Sequence, residues 1–461
     1  MAPDRVLLVA GSDCSGGAGL EAGQKVLAAH TCYAMTATTA LTVQDTTGVD
    51  GIHVVPAEFV ERQMEACLID VGADVVVTGM LAAADTVEAV ARQLVKHAVP
   101  LIVIDPVIVS TSGARLLPDE AVSSLINHLL PLGTIVTPNL PEAQLLVGDS
   151  NLDTIRSVAD IEALGRRIQG LGPDVSTHGT GCSLAAAISS GLAKGSAVPD
   201  AVRAACRYVE VAIRKAPGLG RGHGPLGHFH STYCLPFSPG YFVEYLLARP
   251  DVKPLWHSFI HHPFVLALGD GSLPLESFKG YIVQDYLFLI HFSRAYALAA
   301  YKANNMADIE SAIQTTTNIL HETKLHVQYC ASFGISLSEM KATPEHQACT
   351  AYTRFVLDLG NAQDRLALNA SLAPCIMGYA AAARMLSARK ETRREGNPYW
   401  EWIRNYDGED SRRAAGRCAG LLEDEMLLQS PARIEELVGI FLHAIKMEMG
   451  FWEMFPSCLS G

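Results

Sequence analysis

Short β-branched runs alternate with alanine-rich helical patterns from Arg5 to about Leu192. Four runs have the strand pattern: Val6–Ala10, Val75–Thr78, Leu101–Ile104 and Ile135–Thr137. Each run is followed by a turn signal, which is typical of β-α units that build a buried parallel sheet. The pattern therefore predicts an α/β fold for the first half of the chain.

The second half shows a different periodicity from about Tyr241 onward. Apolar positions there recur with a helical period in five long segments: Leu275–Asn304, Met306–Phe333, Glu345–Leu359, Asn369–Ala388 and Ile434–Phe455. Between the two halves, Ala216–Pro239 is rich in glycine and proline and has the composition of a linker. We therefore predict an α/β domain over residues 1–231 and an all-helical domain over residues 232–461, with the boundary near 231–236.

Composition and charge argue against several classes of protein. The chain has 461 residues and a net charge of −13, which gives no electrostatic reason to bind nucleic acid or an anionic membrane. Its 11 cysteines are scattered singly, which favours a reducing compartment over a disulfide framework. No stretch comes near the roughly 18 apolar residues that span a bilayer, so we expect a cytoplasmic protein.

A glycine-rich segment, Gly11-Ser-Asp-Cys-Ser-Gly-Gly-Ala-Gly-Leu20, lies between the first strand and the helix Leu20–Ala29. Such glycines let backbone amides approach a ligand at a helix N-terminus. The same residues are compatible with a tight turn, a small-molecule site or a dinucleotide site. The dinucleotide hypothesis is weakened because no acidic residue follows a second strand at the required distance, and a P-loop lysine is absent.

A second glycine segment, Thr177-His-Gly-Thr-Gly-Cys-Ser183, opens the helix Leu184–Leu192. Its free amides and the positive end of the helix dipole suit a transferring phosphoryl group. A thiol at this place is expected to have a lowered pKa, so Cys182 could act as a base or as a hydrogen-bonding partner of an attacking hydroxyl. The alternative is a small buried cysteine in a helix cap.

Two acidic motifs follow predicted strands. These are Asp105-Pro-Val107 and Thr137-Pro-Asn139-x-x-Glu142. Ligands of open α/β sheets gather at the carboxyl ends of the strands, and carboxylates there can hold Mg²⁺ directly or through water. A single solvated Asp or Glu in a loop is the alternative.

Six motifs in this order resemble the hydroxymethylpyrimidine and hydroxymethylpyrimidine-phosphate kinases of thiamin synthesis, which have the ribokinase-like fold. Besides the four segments above, they include Ala40-Leu-Thr-Val-Gln44 and Thr78-Gly-Met-Leu81. The resemblance implies a pyrimidine pocket lined by Gly11, Asp13, Gln44, Met80 and Val107. It implies that Cys182 and the amides of Gly179, Thr180 and Gly181 lie at the point of phosphoryl transfer, and that Asp105, Asn139 and Glu142 face ATP and Mg²⁺.

The chain departs from this family between Gln169 and Thr177. The family has a longer stretch there, with a strand that ends in Lys-Gly-Gly-His and a hairpin that helps cover ATP, whereas Leu171–Val175 joins the two sides directly. Three explanations fit this spacing: a stretch omitted from the printed sequence, a shortened gene product, or a half that does not bind nucleotide.

Three segments of the helical half contain candidate functional side chains. Asp285 and Phe288 share a helix face and could bind one planar ligand. Pro374 would free backbone groups next to Cys375, a possible nucleophile. Glu448 lies among apolar neighbours that would raise its pKa towards that of a general acid. Asp285 and Cys375 each have a structural alternative, namely a satisfied buried carboxylate and a space-filling cysteine.

Two histidine pairs have some features of metal sites, but neither has the complete ligand pattern. His321 and His326 flank a glutamate but are five residues apart, so they do not share a helix face as in a zinc protease. His257 and His261 have helical spacing without an evident third ligand.

The helical half resembles thiaminase II, the TenA-type aminopyrimidine hydrolases, over about residues 239–455. The motifs include Gln284-Asp-Tyr-x-Phe-Leu289, Ala351-Tyr-Thr353, Leu372-Ala-Pro-Cys375 and Glu448-x-x-Phe-Trp452, with Trp402-Ile-x-x-Tyr406 between the last two. This resemblance implies that Cys375 is the nucleophile, Glu448 exchanges a proton with a ring nitrogen, and Asp285 holds the amino-pyrimidine edge. Phe288, Tyr352 and Tyr406 would stack on the substrate or hydrogen-bond to it.

The two resemblances imply the same small molecule, because the product expected from the helical half is the substrate expected for the α/β half. We therefore expect hydrolysis of thiamin or an aminopyrimidine to hydroxymethylpyrimidine, followed by two phosphorylations with ATP and Mg²⁺, and no cofactor in the helical half. The partners would be pyrimidines, ATP and further copies of the chain. The alternatives are a pyrimidine-binding scaffold fused to an active thiaminase II and, more remotely, an NAD oxidoreductase.

Overall fold

The structure, a computed structural model, describes residues 2–109, 115–148, 155, 157–175, 181–222 and 224–456. The chain divides into two units, Met1–Thr232 and Tyr233–Gly461. Each unit has its own buried apolar core.

The described residues of the first unit contain one seven-stranded sheet in the order β3-β2-β1-β4-β5-β6-β7. The strands are β1 Arg5–Asp13, β2 Tyr33–Gln44, β3 Val49–Val54, β4 Val75–Thr78, β5 Ile102–Ile104, β6 Ile135–Val136 and β7 Asp174–Val175. All pairings are parallel except that between β2 and β3. The four predicted strand runs are confirmed as β1, β4, β5 and β6.

Sequence analysis did not predict β2, β3 and β7. Strand β2 is rich in Ala and Thr, β3 is largely exposed, and β7 has only two residues. Short strands and strands with weak apolar patterning give little signal, because sheet pairing rather than local sequence selects their conformation.

The helices of the first unit cover both faces of the sheet. They are α1 Gly19–Ala29, α2 Ala57–Asp70, α3 Ala84–Lys96, α4 Asp119–Ser124, α5 Leu140–Leu146, α6 Val158–Gln169, α7 Gly181–Ala193 and α8 Val198–Arg214. A π-helical turn and a 3₁₀ turn continue α4 over Leu125–Leu129 and Leu130–Leu132. In β1, Val6 and Leu8 face one core while Leu7 and Val9 face the other, which explains why the strand is apolar throughout.

The second unit is helical in its described part. Its helices are α9 Phe242–Ala248, α10 Lys253–Ile260, α11 Pro263–Asp270, α12 Leu275–Lys302, α13 Met306–Ser332, α14 Leu337–Ala342, α15 Gln347–Ala362, α16 Arg365–Ala388, α17 Trp400–Tyr406, α18 Glu409–Met426 and α19 Pro431–Trp452. The five predicted long helices are confirmed as α12, α13, α15, α16 and α19.

Helix α16 is the central helix of this unit. It continues through Pro374 and is long and apolar enough to cross a membrane by length and composition, so the expectation that no stretch meets this criterion was wrong. However, 83% of the apolar window is buried inside the unit. Its apolar composition is explained by packing against α15, α18 and α19.

Candidate active sites

The carboxyl ends of β1, β4 and β5 bring together three residues predicted to line a pyrimidine pocket. Met80 is buried and packs with Val107 in one small apolar cluster. A Cβ on Gly11 would lie 2.5 Å from Cε of Met80, so a larger residue would push this side chain away. The strands that end here are neighbours in the sheet, which is why residues distant in sequence meet.

Asp13 organises the glycine-rich loop. Its Oδ1 accepts hydrogen bonds from the backbone amide and hydroxyl of Ser15, at 2.9 and 2.8 Å. Its Oδ2 accepts from the amides of Gly17 and Ala18, at 3.0 and 2.8 Å. Because the carboxylate is 2% exposed and already holds four donors, its observed role is to shape the loop.

Gln44, at the end of β2, lies beside the same loop. Its backbone amide donates to Sγ of Cys14, and the Cys14 thiol is 3.1 Å from the Gln44 carbonyl oxygen. At the other end of the loop, Gly19 has a φ of +55°, and a side chain there would clash with the carbonyl oxygen of Gly11. The loop can therefore turn back tightly onto β1 only with glycine at this position.

Asp105 lies at the end of β5, next to the start of α7. A Cβ added to Gly181 would be 3.0 Å from its Oδ2, and Oδ1 is 3.3 Å from the hydroxyl of Thr137. Oδ2 is buried and has no hydrogen-bond partner within the described residues. Burial and the nearby charge of Glu142 raise the pKa of Asp105 to about 7, although Cys182 and Thr137 act in the opposite direction.

The prediction of a lowered pKa for Cys182 is wrong. Burial and the charges of Asp105 and Glu142 raise the pKa of this thiol strongly, and the backbone amide of Gly19 only partly opposes them. The sequence showed the helix N-terminus but not the two carboxylates that the fold places beside it. Cys182 is therefore a protonated thiol at neutral pH.

Asn139 and Glu142 form a capping box at the start of α5. The side-chain oxygen of Asn139 accepts from the Glu142 amide, and Oε2 of Glu142 accepts from the Asn139 amide, both at 2.9 Å. Oε1 of Glu142 also accepts from the amide of Ile108, at 3.2 Å. Both carboxylate oxygens are thus bound to backbone, and burial raises the pKa of Glu142.

The predicted phosphate and metal site lies partly outside the described residues. Gly179 and Thr180 lie outside the described residues, and Gly181 begins α7. In the described part of the chain, there is no cluster of three or more His, Cys, Asp or Glu that could hold a metal ion. Mg²⁺ needs only one or two carboxylates besides phosphate oxygens and water, so the free Oδ2 of Asp105 fits such an ion better than Glu142 does.

The helical unit contains a cavity of about 1090 Å³. Of the residues predicted from sequence, Asp285, Phe288, Cys375 and Tyr406 line it. The lining combines polar and charged side chains of α13 and α18 with aromatic side chains. A concave site in which aromatic rings and ionisable groups converge is typical of a small-molecule site.

Glu448 interacts with both Tyr352 and Cys375 beside this cavity. The hydroxyl of Tyr352 donates a 2.8 Å hydrogen bond to Oε1 of Glu448. Burial raises the pKa of Glu448 to about 8, while hydrogen bonds from Tyr352 and Cys375 act to lower it. Burial and the charge of Glu448 raise the pKa of the Cys375 thiol well above its usual value. The structure thus pairs a protonated thiol with a carboxyl group able to exchange its proton near neutral pH.

Asp285 forms a buried ion pair that sequence analysis did not predict. Its Oδ2 is 2.8 Å from Nε2 of His326, and the side chains are 6% and 9% exposed. Burial opposes the charge on the imidazole, but the hydrogen bond and charge of Asp285, with help from Glu322, raise the pKa of His326 to about 9. The imidazole is therefore charged at neutral pH and pairs with the buried carboxylate of Asp285.

The segment rejected as a zinc motif lines this cavity. His321, Glu322 and His326 all contribute to the lining, and the hydroxyl of Tyr406 donates a 3.1 Å hydrogen bond to Oε1 of Glu322. The sequence pattern indicated no role for these residues other than that of metal ligands, for which the histidine spacing is wrong. The signal that sequence analysis missed is the helical spacing of Glu322 and His326, which places two ionisable groups on one face of α13.

Aromatic rings surround the ionisable groups. The ring centroids of Phe288 and Tyr352 are 5.0 Å apart, and those of Tyr379 and Tyr406 are 5.2 Å apart. Tyr379 was not among the predicted site residues, although it lies one helical turn after Cys375 and lines the cavity. Aromatic rings and the carboxylate of Asp285 therefore line the same cavity.

The folds and sites together define an α/β small-molecule kinase fused to a helical protein with a thiol and carboxyl pair. The Phosphomethylpyrimidine kinase family matches residues 13–175 and 171–227, and the TENA/THI-4/PQQC family matches residues 249–456. The chain belongs to the hydroxymethylpyrimidine/phosphomethylpyrimidine kinases that are fused to a TenA-type domain in thiamin pyrimidine synthesis.

Full-length relatives have the same two-part organisation. A hydroxymethylpyrimidine/phosphomethylpyrimidine kinase of Schizosaccharomyces pombe is 39% identical over 97% of this chain and 90% of its own length. The kinase THI20 of Saccharomyces cerevisiae is 31% identical over 97% and 94%. Among solved structures, a phosphomethylpyrimidine kinase of Clostridium difficile is 34% identical and covers 45% of this chain and 99% of its own, with a TM-score of 0.43.

The comparisons locate the departure from the kinase family. The family match is interrupted at residues 171–175, where its two parts overlap. The alignment with the S. pombe relative extends over 497 residues, more than the 461 of this chain, so that protein has residues without a counterpart here. The family match is thus broken at the short connection before α7, where the sequence pattern predicted a departure from the kinase family.

Proposed function

We propose that the helical unit hydrolyses thiamin or a related aminopyrimidine to hydroxymethylpyrimidine, and that the α/β unit phosphorylates this product. The observation that best supports the first reaction is the contact of Glu448 with Cys375 and Tyr352 beside an aromatic cavity. Asp285, positioned by its ion pair with His326, would accept hydrogen bonds from the amino edge of the pyrimidine.

The reaction would begin with a proton transfer. Glu448 takes the thiol proton of Cys375, and the sulfur forms a bond to a ring carbon of the pyrimidine. The ring electron pair that this addition displaces moves to a ring nitrogen, which takes the same proton from Glu448. The addition ends the aromaticity of the ring and makes the exocyclic methylene able to release its substituent.

The substituent then leaves with the electron pair of its bond to the methylene, and water adds to the carbon that it leaves. Loss of the sulfur from the ring restores aromaticity, while the ring nitrogen returns its proton through Glu448 to the thiolate. Phe288 and Tyr352 would hold the ring in place throughout. The product is hydroxymethylpyrimidine.

Replacement of the nucleophile tests this proposal. Cys375→Ser is expected to abolish release of hydroxymethylpyrimidine from thiamin and from the aminopyrimidine, because a serine hydroxyl is far less easily deprotonated than a thiol. The far-UV circular dichroism spectrum should stay unchanged. Cys349→Ser, which alters another buried cysteine of the helical unit, is the control. Turnover by Cys375→Ser at the wild-type rate would refute the nucleophilic role.

For the α/β unit, we propose that Gly11, Met80 and Val107 contact the pyrimidine, with Asp13 and Gln44 positioning the loop over it. Gly179, Thr180 and Gly181 would bind the transferred phosphoryl group with their amides, and Asp105 would hold Mg²⁺. Asn139 and Glu142 would support Asp105 through the loop after β5. Bound Mg-ATP would supply the phosphoryl group and neutralise charge.

Cys182 has a narrower proposed role than the sequence suggested. Since burial and two carboxylates keep its thiol protonated, it would donate a hydrogen bond to the acceptor oxygen rather than remove its proton. Phosphoryl transfer depends mostly on positioning and charge neutralisation, so a strong base is not required.

Calorimetric titration of the full chain with Mg-ATP tests the kinase activity. Nucleotide binding, followed by ADP release when hydroxymethylpyrimidine is added, would support it. Asp105→Asn should weaken binding of the magnesium complex, whereas Asp119→Asn, at the start of α4, should not. Pyrimidine binding without nucleotide binding would instead support a scaffold role for this unit.

We also propose that the chain acts in the cytoplasm as a homo-oligomer, with residues 1–231 and 232–461 working in sequence on the same pyrimidine. Size-exclusion chromatography with light scattering tests the assembly. A monomer at micromolar concentration would contradict it.

A further inference from the structure

Glu322 is a carboxyl group of the cavity to which the proposed reaction gives no role. It lies on α13, is half-buried and lines the cavity. The hydroxyl of Tyr406, on α17, donates a 3.1 Å hydrogen bond to its Oε1. The backbone carbonyl of Glu322 also faces Nδ1 of His326, at 3.2 Å. Glu322 is therefore held in a defined place at the cavity wall.

The hydrolysis has a proton-transfer step to which the proposed reaction assigns no group. When water attacks the methylene, Cys375 is bound to the ring, and the carboxylate of Glu448 is needed at the ring nitrogen, because it takes the ring proton back when the sulfur leaves. Asp285 is occupied by the buried ion pair with His326. Glu322 lines the same cavity and has no other part in the proposed reaction, so it is placed to accept a proton from water.

Resting on the proposed hydrolysis, we propose that Glu322 is the general base that activates the water replacing the leaving group. The water oxygen forms a bond to the exocyclic methylene, and its proton moves to a carboxylate oxygen of Glu322. The electron pair of the exocyclic double bond returns to the ring. Glu322 then gives the proton to the departed amine, or to solvent when the departed group is a neutral heterocycle.

The groups facing Glu322 come from four helices. Burial and the charge of Asp285, on α12, raise its pKa, whereas the charge of His326 and the hydrogen bond from Tyr406 act to lower it. The charge of Glu322 also helps to raise the pKa of Cys375, on α16. A raised pKa makes the carboxylate a stronger base than a solvated glutamate, while Tyr406 and His326 keep it available in ionised form.

Glu322→Gln is the direct test, because glutamine has a similar shape but cannot take the proton. In the full chain, kcat for release of hydroxymethylpyrimidine is expected to fall by about 10²- to 10⁴-fold, the typical contribution of a general base. Glu310→Gln, on the exposed side of the same helix, should keep wild-type kcat. Thermal unfolding of both variants checks that they fold.

Azide distinguishes a catalytic role of Glu322 from a structural one, because this anion attacks carbon without having to lose a proton to a base. With Glu322→Gln, sodium azide should restore turnover and yield the azidomethylpyrimidine, identified by mass spectrometry. Rapid quenching should also show the pyrimidine bound covalently to Cys375, because the steps before water attack remain intact. Tyr406→Phe, which removes only the hydrogen-bond donor, should shift the pH dependence of turnover to higher pH.

Each result decides the proposal. Wild-type kcat in Glu322→Gln would overturn it, and so would a loss of turnover that azide does not restore. If the wild-type protein itself releases no hydroxymethylpyrimidine, the proposed function fails rather than this assignment. If Glu322→Gln does not fold, azide rescue of Glu322→Ala provides the same test.

Discussion

His326 Nε2 lies 2.8 Å from Oδ2 of Asp285, and this pair links α13 to α12 in the interior of the helical unit. Sequence analysis placed Asp285 at the substrate edge but gave it no partner. The ion pair explains how a carboxylate can stay charged among aromatic side chains, because an isolated buried charge would be very costly.

The first prediction concerns this ion pair. His326→Leu should lower the free energy of unfolding of the helical unit by about 3–5 kcal/mol, since it leaves Asp285 buried and uncompensated. The double variant Asp285→Asn/His326→Leu should be more stable than His326→Leu alone. Denaturant unfolding followed by tryptophan fluorescence measures this unit selectively, because Trp256, Trp400, Trp402 and Trp452 all lie in it. Additive effects of the two substitutions would contradict the prediction.

The second prediction concerns the pH dependence of hydrolysis. Glu448 must be ionised to accept the Cys375 proton, so kcat/KM should rise with pH through the pKa of Glu448, about 8. Tyr352→Phe removes a hydrogen bond that lowers this pKa, so the rise should move to higher pH. Tyr399→Phe, which removes a buried tyrosine hydroxyl bonded to the Leu273 carbonyl, is the matched control and should leave the profile in place.

The third prediction concerns stability as a function of pH. The pKa of Glu448 rises from 4.5 to about 8 on folding, so the native state binds more protons between these values. The resulting contribution to stability is complete below about pH 4.5 and is lost as the pH rises through about 8. Hence the free energy of unfolding of the wild type, minus that of Glu448→Gln, should fall between pH 5 and pH 9. A constant difference would show that Glu448 has an ordinary pKa in the folded protein.

The fourth prediction concerns the glycine-rich loop. Asp13→Ala removes the acceptor of four hydrogen bonds, so the amides of Ser15, Gly17 and Ala18 should exchange with deuterium faster. The KM for hydroxymethylpyrimidine should rise several-fold, because the loop is no longer held over its proposed site. Asp45→Asn changes an exposed turn carboxylate with similar local bonds and is the control. Unchanged exchange in Asp13→Ala would show that the loop keeps its shape without the carboxylate.

Sequence by itself determined much of the architecture and many of the site residues. Local periodicity identified β1, β4, β5, β6 and the five long helices, because strand alternation and helical spacing depend on near neighbours. The order of motifs placed Cys375, Asp285 and Phe288 in one helical site. The same order marked the short connection at residues 171–175.

Tertiary structure decided which groups interact and what their protonation states are. The lowered pKa expected for Cys182 is reversed by Asp105 and Glu142, which come from distant strands. Glu322 and His326 matter because α13 packs beside α12 and brings them to Asp285. Charge interactions and burial depend on distances across the fold, and these distances are set by packing between elements that the local pattern does not encode.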